Sequence, residues 1–524
     1  MVDQNERGFV LASAYGGIRR DLYEICFEGR PEYEFLPWKF TVKCNQNVYN
    51  FMLAGKSGVL IEGSGGTITL KYIDKPNCYN INFLYRSDRG ICLGDTLSNG
   101  KTYFMLQKGD ISCDAPMNVG KESRQFYAKR EYIHIRLSGS NGFLAAIEQC
   151  INTSPVLDGM NFETCAAESK TDFETFAEPL LKKNADYFGA AYVLWSNFAE
   201  QGGHFKRKPL LCSKAGMTRV WSWDNVFNAL SLAEFHPEMA LDQFMIPYDL
   251  MTESGQIPDC ISSVTVEWTN VKPPVQGWAY SLMMQKHAFF RKKQTLVKVY
   301  HAIKRNTDWW LNRNGGMPVY YHGNDSGADN ATCFDEADCI MSPDLFAFLA
   351  LQCEFLANTA AEIGLAADHN YYSENQWRFT ELAGQFFDGR IFVRDAYSGE
   401  NYYSNALMPL RVLLLGMRLP QDMRTYIVGR LRKDFLSDYG LASEALNSPK
   451  YLKNGYWRGA IWSPDQYIFY EALMAVGEEL LAKKVLNNYQ NAVRKSGFYE
   501  NYDAISGEGE RTKNFCWPIS TFLL

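Results

Sequence analysis

The sequence predicts a mainly α protein in which a ring of paired helices follows an antiparallel β domain. Short stretches of alternating apolar and polar residues recur up to about residue 165, and clusters of Gly, Asn, Asp and Ser separate them. From about Thr171 onward the apolar residues take helical spacing, in segments that arrive in pairs. No run of strands interrupts this helical part, so a βαβ sheet is not expected.

The β prediction rests on two segments and on the turns between them. Residues 67–73 and 132–139 alternate strictly between apolar and polar side chains, as in TITLKYI and YIHIRLSG. The strings GSGGT at residues 63–67 and SNG at residues 98–100 are typical turn signals. These features predict a sandwich over residues 1–165 with tight connections, and no catalytic constellation falls within it.

Residues 166–524 contain about twelve segments of helical spacing. Many of them are apolar on more than one face, which is expected of inner helices in a two-layer ring. Twelve helices in two concentric layers make an (α/α)6 barrel, or toroid, and we predict this barrel as the second domain.

The composition limits the kinds of partner. The 524 residues carry a formal net charge of −6 without a long run of Lys or Arg, so nucleic acid and anionic membranes are not expected. A membrane-spanning helix needs about 20 apolar residues, and the best candidate, residues 407–417, is broken by Pro409 and Arg411. The polar, acidic amino terminus lacks the features of a secretory signal. We therefore expect a soluble, cytoplasmic protein.

The thirteen cysteines form no CxxC pair, and the closest pairs, such as Cys333 and Cys339, lack companions at zinc spacing. Buried thiols are expected, with no metal and no cofactor. The aromatic share of 15% is higher than packing alone requires, which leaves aromatic residues for a binding site.

In such a barrel the long loops at one end form the pocket, so loops rich in Trp, Gly and carboxylates are the candidates. In the first, Trp221 and Trp223 precede Asp224, which leads into a helix. Taken alone, Asp224 also fits an N-cap, and the two indoles also fit a core.

The second loop brings two prolines to the start of a helix. Pro273 and Pro274 in KPPVQGWAY end any preceding helix and begin the next, so Gln276 and Trp278 are expected near a helix mouth. The alternative is that the prolines only start a helix.

The third loop, residues 322–338, holds five carboxylates, and Asp329 and Asn330 are its candidate ligands for a substrate. It forms either a pocket wall or a solvated acidic loop. Spacing alone does not show whether Asp329 or Asp335 binds a cation.

The fourth constellation is YWRGAIW. Tyr456, Trp457, Arg458 and Trp462 place two indoles around a guanidinium, a surface that can stack on a pyranose ring and bind its hydroxyls. A buried structural arginine is the alternative interpretation.

Farther along, Glu500 follows Tyr499 in a loop whose glycines allow tight turns, and the loop ends near Trp517. An isolated glutamate in a loop is alternatively an ordinary surface residue.

Taken in order, WSWD, the Gly-x-Ile-Pro loop, KPPVQGWA, SGADNATCFD, YWRGAIW, and FYENYD with the following NFCWP resemble the inverting glycosidases of glycoside hydrolase family 63 and its relatives. The resemblance covers the carboxyl-terminal two thirds of the chain. It implies an (α/α)6 barrel, often preceded by a β-sandwich, with Asp224 as general acid and Glu500 as general base. This sequence departs at Asp325, where relatives often have Glu, and at Ala460, where a proline is common.

The resemblance implies an exo-acting enzyme that hydrolyses a small α-glucoside, α-mannoside or oligosaccharide. Glycoside hydrolysis needs one carboxylic acid and one carboxylate, and no metal or organic cofactor. The indoles beside Asp224 predict that it is protonated, whereas the polar Asn501 and Tyr502 predict that Glu500 is ionised.

Four alternatives follow from the same loops. A trehalase-like hydrolase would carry other strings where KPPVQGWAY stands, and a glycoside phosphorylase would bind phosphate in place of the base. An epimerase would need paired histidines, whereas the seven here are scattered. A non-catalytic carbohydrate-binding protein would keep the aromatic surface without hydrolysis. The oligomeric state is left open.

Overall fold

The computed structural model of the chain describes residues 2–5, 8–55, 57–74, 81–95, 100–114 and 133–524. By internal contacts the chain divides into two compact units, one of Met1–Arg219 with Ser262–Thr265 and one of Val220–Ile261 with Val266–Leu524. The domain boundary predicted near residue 165 stays a prediction. Of the turn predicted at residues 98–100, the first two residues lie outside the described part of the chain.

The first unit contains two antiparallel sheets. Their strands, β1 to β14 in chain order, are Val2–Asn5, Gly8–Ser13, Arg20–Phe27, Pro31–Phe35, Lys39–Cys44, Asn47–Ala54, Gly58–Gly63, Thr67–Tyr72, Ile81–Arg86, Gly90–Asp95, Gly100–Lys108, Asp110–Cys113, His134–Ser138 and Phe143–Cys150. One sheet has the order β1-β2-β3-β8-β13-β12, and the other has the order β4-β5-β6-β7-β14-β11-β10-β9.

The two sheets share one apolar core. Strands β8 and β13 pair antiparallel, with Leu70 opposite Ile135, and burial alternates along both strands. Both side chains lie in a cluster that also includes Phe51 and Ile61 from the other sheet. The predicted antiparallel sandwich is therefore confirmed, because each sheet turns one apolar face to the other.

Two helices, α1 (Phe162–Lys183) and α2 (Phe188–Asn197), complete the first unit. Asn161 caps α1 by accepting a hydrogen bond from the backbone N–H of Thr164 at 3.1 Å. Helical structure thus begins before Thr171. The spacing of apolar residues does not show the first turns of α1, because most residues there are polar. The N-cap residue Asn161 is the sequence signal that marks the true start of the helix.

The second unit has ten α-helices in the described part of the chain. They are α3 (Asp224–Leu232), α4 (Pro237–Met245), α5 (Gln276–Lys286), α6 (Lys293–Asn312), α7 (Pro343–Ile363), α8 (Ala366–Gly384), α9 (Gln421–Arg430), α10 (Ser463–Ala475), α11 (Glu479–Ser496) and α12 (Trp517–Phe522). A further helical segment, Met408–Arg418, is wound as a 3-10 helix with a kink at Gly416.

Short strands line the loops of this unit. Strands β15 to β25 are Val220–Trp221, Cys260–Ile261, Val266–Glu267, Ile340–Met341, Val393–Asp395, Asn401–Tyr402, Leu436–Ser437, Gly440–Leu441, Ile461–Trp462, Tyr499–Tyr502 and Gly509–Lys513. They form small antiparallel sheets, such as β15-β16-β17 and β23-β24-β25.

Inner and outer helices alternate along the chain. All nine residues of α3 are buried, whereas α8 buries three of its nineteen. The inner segments, which bury most of their residues, are α3, α5, α7, Met408–Arg418, α10 and α12. Each inner segment contacts the next, and α12 contacts α3, so the inner ring closes. The predicted (α/α)6 barrel is confirmed.

The barrel places the candidate loops at one end. Inner segments run in one direction because an outer helix returns the chain between each inner segment and the next. The loops that enter the amino-terminal ends of inner segments include residues 220–223, 272–275, 322–342, 456–462 and 499–516. None of the helices in the described part of the chain combines the length and apolar content needed to cross a lipid bilayer.

Candidate active site

The first loop delivers a buried carboxyl group. Asp224 is 6% exposed and is the first residue of α3, so it does not occupy the N-cap position. The N-cap is Trp223, whose indole packs edge-on against Phe227 with ring centroids 5.3 Å apart. Trp221 is half-buried in β15, opposite Cys260 of β16. Asp224 and Trp223 are thus both buried at the start of α3, whereas Trp221 lies in the strand before it.

The second loop contributes two buried residues at the start of α5. Gln276 is its first residue, and its side-chain oxygen is buried without a hydrogen-bond partner. Trp278 packs edge-on against Phe227 and Tyr467, at 6.4 and 6.0 Å between ring centroids. The indole of Trp278 thus belongs to an aromatic cluster between inner helices, whereas Gln276 has an oxygen left for a further donor.

In the third loop, Asp329 faces the fourth loop. Tyr456 Oη donates a hydrogen bond to Asp329 Oδ2 at 3.2 Å, and Lys272 Nζ lies 3.8 Å from Asp329 Oδ1. The Asp329 side chain is about one third exposed. It is therefore a partly accessible carboxylate held between a phenol and an ammonium group.

Asn330 connects the third loop to the fourth. Its Nδ2 donates to the carbonyl of Gly455 at 3.1 Å, and its Oδ1 accepts from the backbone N–H of Trp457 at 2.8 Å. Its own carbonyl accepts from Arg458 Nε at 2.9 Å. The amide of Asn330, predicted to bind substrate, is thus engaged by the backbone of the YWRG loop.

Asp325, the residue that departs from the family pattern, is a loop connector. Its carboxylate accepts from the backbone N–H of Val271 and from that of Tyr321, both at 3.0 Å. Both oxygens of Asp325 are therefore used to join the third loop to the segments before the second and third loops.

The two indoles of the fourth loop stack directly on each other. The rings of Trp457 and Trp462 lie 4.1 Å apart at 6°, and both side chains are buried. The Arg458 guanidinium instead pairs with Asp335, which also binds Lys450 Nζ at 2.9 Å. The prediction that Trp457 and Trp462 surround the guanidinium of Arg458 is therefore wrong, because the two rings stack on each other. The ion partner of Arg458 lies on another loop, and only the fold brings that partner close.

The cation beside these indoles is Arg411, which the sequence did not indicate as a site residue. It is fully buried, and its Cζ lies 5.3 Å from the ring centroid of Trp223 and 5.6 Å from that of Trp457. Its Nε donates to Asp465 Oδ1 at 2.6 Å, and its Nη1 donates to the carbonyl of Ser326 at 3.1 Å. The sequence signal that could have indicated this residue is a single arginine within the otherwise apolar run 407–417.

The last loop delivers a second buried carboxyl group. Glu500 lies within β24 and is 5% exposed, and its Oε2 accepts from the backbone N–H of Thr512 at 3.4 Å. Burial raises the pKa of Glu500, and the nearby Asp329 raises it further, whereas Thr512 and Arg511 lower it. Two groups that favour ionised Glu500, Thr512 and Arg511, are therefore on β25. The predicted contribution of Asn501 and Tyr502 stays a prediction.

The aromatic residues of the Glu500 loop hold the loop in place. Tyr502 Oη donates to the carbonyl of Gly497 at 2.8 Å. The Tyr499 ring lies close over Gly509, where any Cβ would be 2.3 Å from the ring. Trp517 Nε1 donates to the carbonyl of Glu500 at 2.9 Å, and its ring meets Trp462 edge-on at 5.6 Å. Trp517 thus anchors the Glu500 strand to the stacked indoles.

One set of possible metal ligands occurs in the described part of the chain, with the ligand atoms of Asp259, Cys260 and Glu267 within 4.8 Å of one another. Lys272 Nζ lies 3.5 Å from Asp259 Oδ1, and Asn324 Nδ2 donates to Asp259 Oδ2 at 3.1 Å. Asp259 is therefore held by protein donors.

Carboxyl groups of three loops act electrostatically on one phenol. Burial raises the pKa of Tyr456, and the charges of Asp329, Glu500 and Asp224 raise it further. Tyr456 therefore stays protonated as a hydrogen-bond donor. Asp224 and Glu500, the two buried carboxyl groups of this set, can serve as a proton donor and a proton acceptor in the cleavage of one bond.

A closed ring of inner helices with loops gathered at one end is the (α/α)6 barrel of family 63 and glucoamylase-type glycoside hydrolases. The family model for the mannosylglycerate hydrolase MGH1-like glycoside hydrolase domain matches residues 217–518, more than half of the chain. The chain belongs to this family, and the predicted resemblance to glycoside hydrolase family 63 is confirmed.

Two curated proteins of Saccharomyces cerevisiae illustrate the sequence similarity. An uncharacterized protein is 30% identical over 34% of this chain and 16% of its own length. A mannosyl-oligosaccharide glucosidase is 23% identical over 45% of this chain and 33% of its own length. The matches thus span a third or less of these relatives.

Two solved structures share the fold. The family 63 mannosylglycerate hydrolase of Thermus thermophilus, in complex with glucose, superposes with a TM-score of 0.55 at 18% identity, over 64% of this chain and 98% of that one. A bacterial glucoamylase complexed with acarbose gives 0.64 at 11% identity, over 98% and 88%. At these identities the likeness supports the fold alone.

Proposed function

We propose that the protein is an inverting, exo-acting α-glycosidase in which Asp224 is the general acid and Glu500 is the general base. The observation that carries the proposal is that two buried carboxyl groups, on loops that enter α3 and α12, both act electrostatically on Tyr456. In an inner ring closed by contact between α12 and α3, these two loops are neighbours.

The surroundings of the two groups suit these roles. Asp224 is buried and follows the buried Trp223 in the chain, and we propose that it carries the proton that the reaction needs. The pKa of Glu500 is raised by burial but opposed by Thr512 and Arg511, which gives an ionisable base of increased proton affinity. In the reaction, Asp224 protonates the departing oxygen and Glu500 takes a proton from water, which attacks the anomeric carbon from the opposite face.

The sugar is proposed from the relatives. The family model is described for mannosylglycerate hydrolase, and the curated relatives include mannosyl-oligosaccharide glucosidases. We therefore propose a small α-glucoside, α-mannoside or oligosaccharide as substrate. Two polar groups would bind the hydroxyls of the sugar: the partly exposed carboxylate of Asp329 and the hydroxyl of Tyr456, which is hydrogen-bonded to it.

The experiment is a release assay on α-glucosides and α-mannosides, with proton NMR of the first-formed sugar. A single displacement by water inverts the anomeric centre, so we expect the β-anomer from an α-glycoside. Early release of the α-anomer would contradict the inverting mechanism.

The same assay separates the alternatives. Turnover that requires inorganic phosphate would identify a phosphorylase, and turnover limited to trehalose would identify a trehalase-like hydrolase. Sugar binding by calorimetry without release from any glycoside would identify a non-catalytic binding protein.

A further inference from the structure

The strand opposite Glu500 contains an irregularity. Strands β24 and β25 pair Tyr499 with Lys513 and Asn501 with Glu510, so two residues of β25, Arg511 and Thr512, lie opposite the single residue between. That single residue is Glu500. A β-bulge of this kind bends the strand and re-aims side chains, and bulges occur preferentially next to active sites.

The first bulge residue adopts a backbone conformation that favours glycine. Arg511 has φ = +63°, in the left-handed region. In bulges of this type glycine usually takes that position. Residues held in such strained backbone conformations cluster at functional sites, so the arginine at this position points to a function.

The guanidinium of Arg511 connects the two loops that carry Glu500 and Tyr456. Its Cζ lies 4.7 Å from the centroid of the Tyr456 ring, and its Nη2 donates to the carbonyl of Asn454 at 3.2 Å. Its Nη1 lies 3.4 Å from Asn501 Oδ1 and 3.4 Å from Glu510 Oε2. A planar cation on an aromatic face suits arginine better than lysine.

The bulge also determines the electrostatic surroundings of Glu500. Thr512, the second bulge residue, donates its backbone N–H to Glu500 Oε2 at 3.4 Å. The charged groups that act on Glu500 are Arg511, which favours the ionised carboxylate, and Asp329, which opposes it. The adjacent Tyr456 is neutral. Arg511, together with Thr512, therefore opposes part of the effect of burial and of the neighbouring carboxylate, although the pKa of Glu500 stays raised.

We propose that Arg511 is a positioning residue for the candidate base: it fastens the Glu500 hairpin to Tyr456 and supplies positive charge beside the carboxylate. This inference rests on the proposed function, in which Glu500 must be ionised to accept a proton. Arg511 acts through Glu500 and is not itself assigned a bond-making role.

The test separates the side chain from the backbone. Arg511→Gly keeps the left-handed conformation and removes the guanidinium, whereas Arg511→Lys keeps the charge and removes the planar group. We expect Arg511→Gly to lower kcat/KM roughly 10- to 100-fold and to move the acidic limb of its pH profile to higher pH. In Arg511→Lys the acidic limb should lie closer to its wild-type position than it does in Arg511→Gly, because the positive charge is kept. The matched control is Arg432→Gln, which removes an arginine paired with Glu478 at the surface, where the two side chains are 61% and 37% exposed; it should leave the pH profile unchanged.

A second readout does not depend on turnover. Carbon-13 NMR of labelled glutamate, with Glu500 assigned by its loss in Glu500→Gln, should show Glu500 titrating at higher pH in Arg511→Gly than in wild type. An unchanged titration and an unchanged acidic limb would overturn the inference, as would a rise in KM alone. Full turnover in Glu500→Gln would instead refute the proposed function.

Discussion

The hydroxyl of Tyr456 donates a hydrogen bond to Asp329 Oδ2 at 3.2 Å, and this contact joins the third and fourth loops of the barrel mouth. The phenol is held as a donor because burial and three nearby carboxyl groups raise its pKa. We predict that Tyr456→Phe lowers kcat/KM by about 10- to 100-fold, the equivalent of a hydrogen bond to a charged group at about 1.5 to 3 kcal/mol. Steady-state kinetics tests this.

Tyr397, which is 83% exposed, provides the matched control, and Tyr397→Phe should leave kcat/KM unchanged. In a double-mutant cycle, Tyr456→Phe and Asp329→Asn should be non-additive because the two groups contact each other. Additive effects would contradict a shared role.

The second prediction concerns the candidate acid and base. Asp224→Asn and Glu500→Gln preserve size while removing proton transfer, so each should lower turnover by at least about 10²-fold. Circular dichroism should show an intact fold. Asp422→Asn, in the first turn of α9, and Glu508→Gln, in the Glu500 loop, are exposed counterparts that should retain activity. Near wild-type turnover in either active-site variant would refute the assignment.

The third prediction concerns stability and follows from the raised pKa of Glu500. The folded state binds the proton of Glu500 more tightly than the unfolded state, so ionised Glu500 destabilises the fold at neutral pH. We expect Glu500→Gln to have a higher Tm than wild type at pH 7. The gain should shrink on acidification and be absent below the unfolded glutamate pKa of about 4.3.

Thermal unfolding between pH 4 and 8 tests this linkage. Glu508→Gln should show no comparable pH dependence, because Glu508 is exposed. A lower Tm for Glu500→Gln at pH 7 would show that the hydrogen bond from Thr512 outweighs the desolvation of the charge.

The fourth prediction concerns the buried ion pair beneath the indoles. Arg411 and Asp465 have side chains exposed to 0% and 1%, and removing one partner leaves an uncompensated buried charge. Arg411→Met and Asp465→Asn should each lower the free energy of unfolding by about 3 to 5 kcal/mol. Urea unfolding measures this change.

An exposed pair supplies the comparison. Arg432→Met, which breaks the 3.0 Å pair with Glu478, should change the free energy of unfolding by about 1 kcal/mol or less. If the Arg411 and Arg432 variants are equally stable, the buried pair is not a major support of the barrel mouth.

The local patterns of the sequence predicted the architecture. Alternation in β8 and β13, helical spacing in the barrel and prolines before α5 are local signals, because side-chain direction repeats with period 2 in strands and 3.6 in helices. The order of the loop strings likewise predicted family 63. The roles of Asp224 and Glu500 remain proposals, and the cytoplasmic location stays a prediction.

What the sequence by itself determined is which residue types stand in the loops and where helices and strands form. Only the tertiary structure decided their partners: Trp457 stacks on Trp462, Arg458 pairs with Asp335, and Arg411 takes the place beside the indoles. The physical reason is that ion pairing and stacking depend on distances in space between groups far apart in the chain. Periodicity shows on which side of an element a residue lies, but the group it meets there is determined by the packing of the whole barrel.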